Sequence, residues 1–185
     1  MNGTFFRLAG VLIFLGSLIS GCGYQFRAAG EPVGISLQSL AIPLFTSTSS
    51  EIGFEADFTK VIRNEFISHA RVPLVPEERA EMVIVGRIYE VNTYPLAYDS
   101  REQSVGGRVT TYEVTSSRTL RINLDVQLLD RARGKAVWHD RNMTEKATFT
   151  VDTDPFVTRF NQEQALEQIA RRLAKRIYLK TMERF

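Results

Sequence analysis

Tyr112-Glu113-Val114-Thr115-Ser116-Ser117-Arg118-Thr119-Leu120-Arg121-Ile122-Asn123-Leu124-Asp125-Val126-Gln127-Leu128 decides the fold. Its even positions are mostly apolar and end in Leu120, Ile122, Leu124, Val126 and Leu128, while its odd positions are polar. A period of two over that length predicts a long antiparallel strand with one buried and one wet face. Asp130-Arg131-Ala132-Arg133-Gly134-Lys135 follows as a hairpin loop, with Gly134 at the position that needs a positive φ. Ala136 to Val151 then returns as a further strand. Its inward set changes parity between Trp138 and Met143, which predicts a bulge. Upstream, Met82 to Val91 opens almost wholly apolar and reads as a central strand. Ile35 to Phe45 alternates loosely and reads as a first strand, stopped near Pro43.

Two amphipathic helices complete the set. Thr46 to Ser50 reads as a capping loop with Glu51 in a first turn. Phe54, Phe58, Ile62 and Phe66 then form one stripe, which runs to about His69 before Pro73 and Pro76. Near the C-terminus, Asn161 and Gln164 read as a capping pair ahead of the stripe Leu166, Ile169, Leu173 and Ile177. Arg171, Arg172, Lys175, Arg176, Lys180 and Arg184 crowd the opposite face and read as solvated charge. The order β-α-β-β-β-α predicts an α+β two-layer sandwich, two helices on a mostly antiparallel four-stranded sheet.

Composition narrows the function. Among 185 residues, 23 Lys and Arg face 21 Asp and Glu, and 44% are apolar. That is ordinary globular usage, with neither the charge of a disordered tail nor the basic excess of a nucleic-acid binder. One cysteine excludes an intrachain disulfide and any multi-cysteine metal site. His69 and His139 lack metal-ligand spacing, and no nucleophile and base cluster. Gly106-Gly107-Arg108 is too short to cradle a phosphate. The chain reads as a non-enzyme, with no catalytic residue, no metal and no cofactor.

The single cysteine sits at the end of a targeting segment. Arg7 supplies a positive charge ahead of the apolar run Leu8 to Ile19, which rises only about 18 Å as a helix and is too short to span a bilayer. That is the pattern of an export signal. Ile19-Ser20-Gly21-Cys22 resembles a bacterial lipobox. The resemblance implies cleavage between Gly21 and Cys22, a diacylglycerol thioether on Cys22 and an acyl group on its new amine. Several acyl chains anchor stably where one does not. The expected division is a cleaved signal over 1–21, an acylated extended leader over 22–34 and a single α+β domain over 35–185. Gly23 after the cysteine, in place of Asp, favours the outer membrane.

Beyond the signal the chain resembles the lipopolysaccharide-assembly lipoproteins, the LptE family. Cys22-Gly23-Tyr24-Gln25-Phe26-Arg27, Ile42-Pro43-Leu44-Phe45, Ala80 to Ile88 and Gly107 to Val114 carry the resemblance. It implies an outer-membrane lipoprotein facing the periplasm that plugs a large β-barrel (LptD), helps it assemble and assists lipopolysaccharide insertion at the cell surface. The implied partners are the barrel, lipopolysaccharide and, through the acyl anchor, outer-membrane lipid, with no nucleic acid. Phosphate recognition would need cations on exposed turns. Arg131, Arg133 and Lys135 on one turn, with Arg101 and Arg108 beside Gly106-Gly107, are the candidates; as plain loop charges they would only solubilise. Another periplasm-facing lipoprotein of similar fold, a cell-wall-synthase activator or a secretion-pore subunit, stays open at this point.

Overall fold

The computed structural model describes residues 37–48 and 53–182. Residues 1–36, with Gly21, Cys22, the signal, the leader and the start of the expected first strand, lie outside the described residues. The elements are β1 (Leu40–Ala41), β2 (Thr46–Ser47), α1 (Glu55–His69), a 3-10 turn (Glu77–Arg79), β3 (Met82–Val105), β4 (Arg108–Asp130), β5 (Lys135–Thr150) and α2 (Pro155–Met182). Two helices cover one face of a sheet ordered β1-β3-β4-β5, with β2 also paired to β3. The α+β sandwich is as expected. The β3-β4 and β4-β5 pairs are antiparallel and the short β1 and β2 are parallel to β3.

The alternating stretch behaves as its period dictates where helices cover it. Leu120, Ile122, Leu124, Val126 and Leu128 are all fully buried, against Phe58, Ile62 and Phe66 of α1 and Ile169, Leu173 and Ile177 of α2. The bulge in β5 is present: Leu124 pairs with Met143 and Val126 with Asp140, which inserts one extra residue. Gly134 has φ +62° as the turn requires.

The first strand is shorter and broken. Pro43 has no N–H for a ladder, so pairing stops after Ala41 and resumes at Thr46. Side chains of α1 serve the backbone in the gap: Arg63 Nε donates to Ile42 O at 2.7 Å, and Phe45 N–H donates to the buried Thr59 Oγ1 at 3.0 Å. Thr46 is therefore strand rather than helix-capping loop. The cap residue of α1 is Phe54, whose side chain makes no capping bond. Phe45 packs so closely against β3 at Gly86 that an added Cβ would stand 2.0 Å from the ring.

α2 starts earlier than the Asn161 reading. Asp154 Oδ1 accepts from Phe156 N–H at 2.8 Å, and Pro155 occupies the first helical position, where its missing N–H costs nothing. Asn161 instead donates to Thr150 O at 3.0 Å and ties the helix to the end of β5.

The largest departure is in the middle. β3 does not end near Val91 but continues to Val105. Gly106 and Gly107, with φ +60° and +79°, make the two-residue turn that joins it to β4. Residues 98–115 thus form a two-stranded ribbon that runs past the end of β5 and out of the core.

Candidate interaction surfaces

The five cations picked out as head-group candidates divide between opposite ends of the sheet. Arg131, Arg133 and Lys135 lie at the β4-β5 turn, and Arg101 and Arg108 lie near the tip of the β3-β4 ribbon. Arg108 and Asp130 are the two ends of β4, roughly 70 Å apart along that strand. They cannot form one site.

At the β4-β5 turn the cations are not equivalent. Arg131 Nη1 donates to Glu77 O at 3.1 Å and to Glu78 O, so its guanidinium closes the 3-10 turn against the sheet. Its own N–H donates to Glu81 O at 3.0 Å. Arg133 N–H donates to Asp130 Oδ1 at 3.0 Å, and its side chain stands 3.6 Å from the same carboxylate while largely exposed. Lys135 has no side-chain partner among the described residues. Asp130, Glu77, Glu78 and Glu81 stand around these cations, which leaves the tip mixed in charge rather than positive.

At the other end, the ribbon exposes large apolar side chains. Leu96, Tyr98, Tyr94, Tyr112 and Val109 are all solvent-facing, Val109 at 66%. Phe156, Val157 and Phe160 on the first turns of α2 add a second exposed apolar group, Phe156 at 83%. Arg101 acts across this region, since its charge is one of the influences that hold the Asp152 carboxyl below its ordinary range. The largest of those influences is the hydrogen bond from Asp154 N–H, and contacts from Thr153 add to it.

The basic face of α2 is not merely solvated. Arg176 Nη1 donates to Thr144 O at 2.7 Å and Arg172 Nη1 to Lys146 O at 3.2 Å. Glu145 sits between both guanidiniums at 3.5 and 3.6 Å. Lys180 Nζ bonds Asp140 Oδ2 at 2.7 Å and lies over the Trp138 ring. β5 is an outermost strand, paired only to β4, so these arginines occupy carbonyls on its free edge. Such an edge would otherwise invite another strand. Burial alone would raise the Asp140 carboxyl, but the Lys180 hydrogen bond, the Asn142 N–H and the charges of Lys180 and Arg176 bring it below its ordinary range.

The histidines are structural. His139 Nε2 is 2.6 Å from Asp125 Oδ1, and Arg87 is 3.7 Å from the same carboxylate. His69 Nδ1 lies 2.9 Å from Glu65 O, and its own carbonyl accepts from the Tyr178 hydroxyl. No group of three or more His, Cys, Asp or Glu among the described residues could hold a metal ion. No helix among them is long and apolar enough to cross a membrane.

Sequence reasoning missed two features, the ribbon and the arginine seal. The first had a signal, two glycines flanked by Ser104-Val105 and Val109-Thr110-Thr111, which are strand-forming residues on both sides of a hairpin turn. The second had none, because i,i+4 spacing of Arg172, Arg176 and Lys180 does not say what the face meets.

No curated protein matches the sequence. Solved structures of similar fold include a minor lipoprotein from Acinetobacter baumannii, 18% identical over 80% of this chain and 92% of that one, with a TM-score of 0.40. The rare lipoprotein B from Shewanella oneidensis is 14% identical over 75% of this chain and 89% of that one, TM-score 0.42. An uncharacterized lipoprotein B from Nitrosomonas europaea is 17% identical over 84% and 88%, TM-score 0.44. A model of the LptE lipopolysaccharide-assembly family matches residues 37–181, nearly the whole described body. The chain belongs to the LptE family of lipopolysaccharide-assembly lipoproteins, a non-catalytic family that binds no cofactor.

Proposed function

We propose that this chain is an outer-membrane lipoprotein, acylated on Cys22, that faces the periplasm, seats in an LptD-like β-barrel, helps that barrel assemble and assists lipopolysaccharide insertion. It carries no catalytic activity of its own. Family membership over residues 37–181 carries the reading. Physical support comes from the exterior, since a plug in a polar barrel lumen needs a compact body with mixed surface charge. Asp125 with Arg87 and His139 on the sheet, and Arg172, Arg176 and Lys180 with Glu145 and Asp140 at its edge, make up such a surface.

Affinity purification from detergent-solubilised outer membrane tests the partner, and a single large barrel protein is the expected companion. A periplasmic synthase in its place would overturn the reading. Labelling cells with a clickable palmitate tests the anchor: the protein takes the label and Cys22→Ala does not. Label that persists in Cys22→Ala would contradict acylation there.

Direct head-group contact belongs to the same proposal. At the β4-β5 turn, Arg133 and Lys135 are the cations available to phosphate, while Arg131 is committed to the carbonyls of Glu77 and Glu78. Arg133→Gln with Lys135→Gln should therefore weaken binding to purified lipopolysaccharide and flatten its salt dependence, with the fold intact. Binding unchanged at low and high salt would make this turn a solvated loop. Arg101 and Arg108 on the ribbon would then be the next pair to replace.

A further inference from the structure

We infer that residues 108–115 of β4 form an open edge that receives an extended strand of the partner barrel protein, antiparallel to β4 and in line with β5. The inference rests on the barrel reading above and names where the barrel protein is held.

β4 is paired with β3 along its whole length, but with β5 only from Ser117 to Asp130. One more bond, from Val151 N–H to Ser116 O at 2.9 Å, ends that ladder. Beyond it the β5 chain turns away through Asp152 and Asp154 into α2. Residues 108–115 are left with no strand on that side. Their sequence is Arg108-Val109-Thr110-Thr111-Tyr112-Glu113-Val114-Thr115, rich in Val, Thr and Tyr, without Pro, Gly or Lys. Those are residues that favour a strand, with no proline in the segment, charge confined to Arg108 and Glu113, and the one bulge residue, Ser116, lying just outside it.

The other edges are blunted. On β5, Arg172 and Arg176 occupy the carbonyls of Lys146 and Thr144. On β3, the outer edge beyond Ile88 carries Pro95, extra residues at Tyr89 and Leu96, and the charges of Asp99, Arg101 and Glu102. One edge is sealed by guanidiniums, one is broken by a proline and bulges, and one is left ready to pair. An isolated two-stranded ribbon is marginal in water, so a third strand is also what this ribbon lacks. Phe156, Val157 and Phe160 lie at the same end, where β5 stops and α2 begins, and offer apolar surface to an occupant of the slot.

The leader of this chain cannot be the occupant. Residues 23–36 span at most about 50 Å. They enter at Leu37, next to Leu40, which pairs with Met82. Thr115 pairs with Tyr98, which is itself roughly 50 Å along β3 from Met82. A fully extended leader would be used up before it reached the slot, and would still have to cross β3 and β4. A bilayer supplies no backbone groups in register. A strand of the barrel protein supplies them.

Hydrogen-bond direction makes the test specific. In a two-residue turn with both φ positive, the closing pair, Val105 and Arg108, bond each other. Alternate residues then face β3, which leaves Val109, Thr111, Glu113 and Thr115 directing N–H and C=O outward. Thr111→Pro removes an outward donor and spares the β3 ladder, whereas Thr111→Val keeps the donor. With the acylated protein purified from outer membrane, Thr111→Pro should bring down at least tenfold less barrel than Thr111→Val or the parent, at equal protein level and melting temperature. A photoreactive benzoylphenylalanine at Glu113 should crosslink to the barrel protein, and this second readout stands even if Thr111→Pro fails to accumulate. Equal barrel recovery with Thr111→Pro, or a Glu113 crosslink to a second copy of this chain or only to lipid, would overturn the inference while leaving the barrel reading in place. A parent protein that brings down no barrel would overturn both.

Discussion

The two halves of the β3-β4 hairpin share strands but not physics. From Met82 to Thr93, paired with Leu120 to Asp130, every apolar inward position of β4 from Leu120 to Leu128 is fully buried under two helices. From Tyr98 to Thr115 the same two strands carry exposed Tyr98, Val109 and Tyr112 and contribute no residue to the core. One half is held by burial, the other by a single ladder of backbone bonds whose net worth is modest. A chain that continues strands so far past its core has placed surface where a partner can reach it. Stability and the inferred partner contact thereby fall to different residues of the same strands.

That division breaks first in the core. Leu124→Ala should cost roughly 2–5 kcal/mol, because the site is enclosed by both helical stripes and cannot collapse. Gly86→Ala should cost about 1–3 kcal/mol by overpacking against the buried Phe45 ring. Urea titration of each variant measures both, and a change under 0.5 kcal/mol in either would contradict the packing described.

The edge seal is the next rung. Arg172→Gln with Arg176→Gln removes two charge-assisted bonds to β5 carbonyls and should lower the melting temperature by a few degrees, with more self-association in sedimentation. A variant that self-associates no more than the parent and is equally stable would show the arginines to be plain surface charge.

Smaller still is the acid response of Asp140. Its carboxyl lies below its ordinary range in the folded protein, so its ion pair with Lys180 stabilises the fold above the unfolded value near 3.8. That contribution fades as pH falls through the lower folded value. Asp140→Asn should therefore lose stability at pH 7 relative to the parent, with the difference closing below about pH 4. A constant difference from pH 7 to 3 would contradict the pairing. At the bottom of the scale, Val109→Ser and Tyr112→Ser should each move stability by no more than about 0.5 kcal/mol, since these side chains are already in water.

Most of the packed half was legible from the sequence, because burial writes a period. Leu120 to Leu128 alternate, Phe58, Ile62 and Phe66 repeat every four residues, and the parity change between Trp138 and Met143 located a bulge. The start of α2 at Asp154-Pro155 was also written in the chain, as a cap residue before a helix-initiating proline, but the Asn161 and Gln164 pair competed with it. The ribbon wrote no clear period, since Tyr94 to Gln103 faces water on both sides and bulges shift its parity. The roles of Arg172 and Arg176 depend on which strand lies beside α2. That is a tertiary fact with no local signature. Cys22, by contrast, is marked by its neighbours alone and lies outside the described residues.

Shortening the ribbon tests the division most directly. Replacing residues 100–113 by Asn-Gly joins Asp99 to Val114, an existing cross-strand pair, through a two-residue turn. The shortened protein should melt less than about 4 °C below the parent, as a change of under 1 kcal/mol would give. The same protein should be acylated as before and should recover at least tenfold less barrel from solubilised outer membrane. A shortened protein that unfolds cooperatively far below the parent, or that still brings down the barrel in full, would contradict that division.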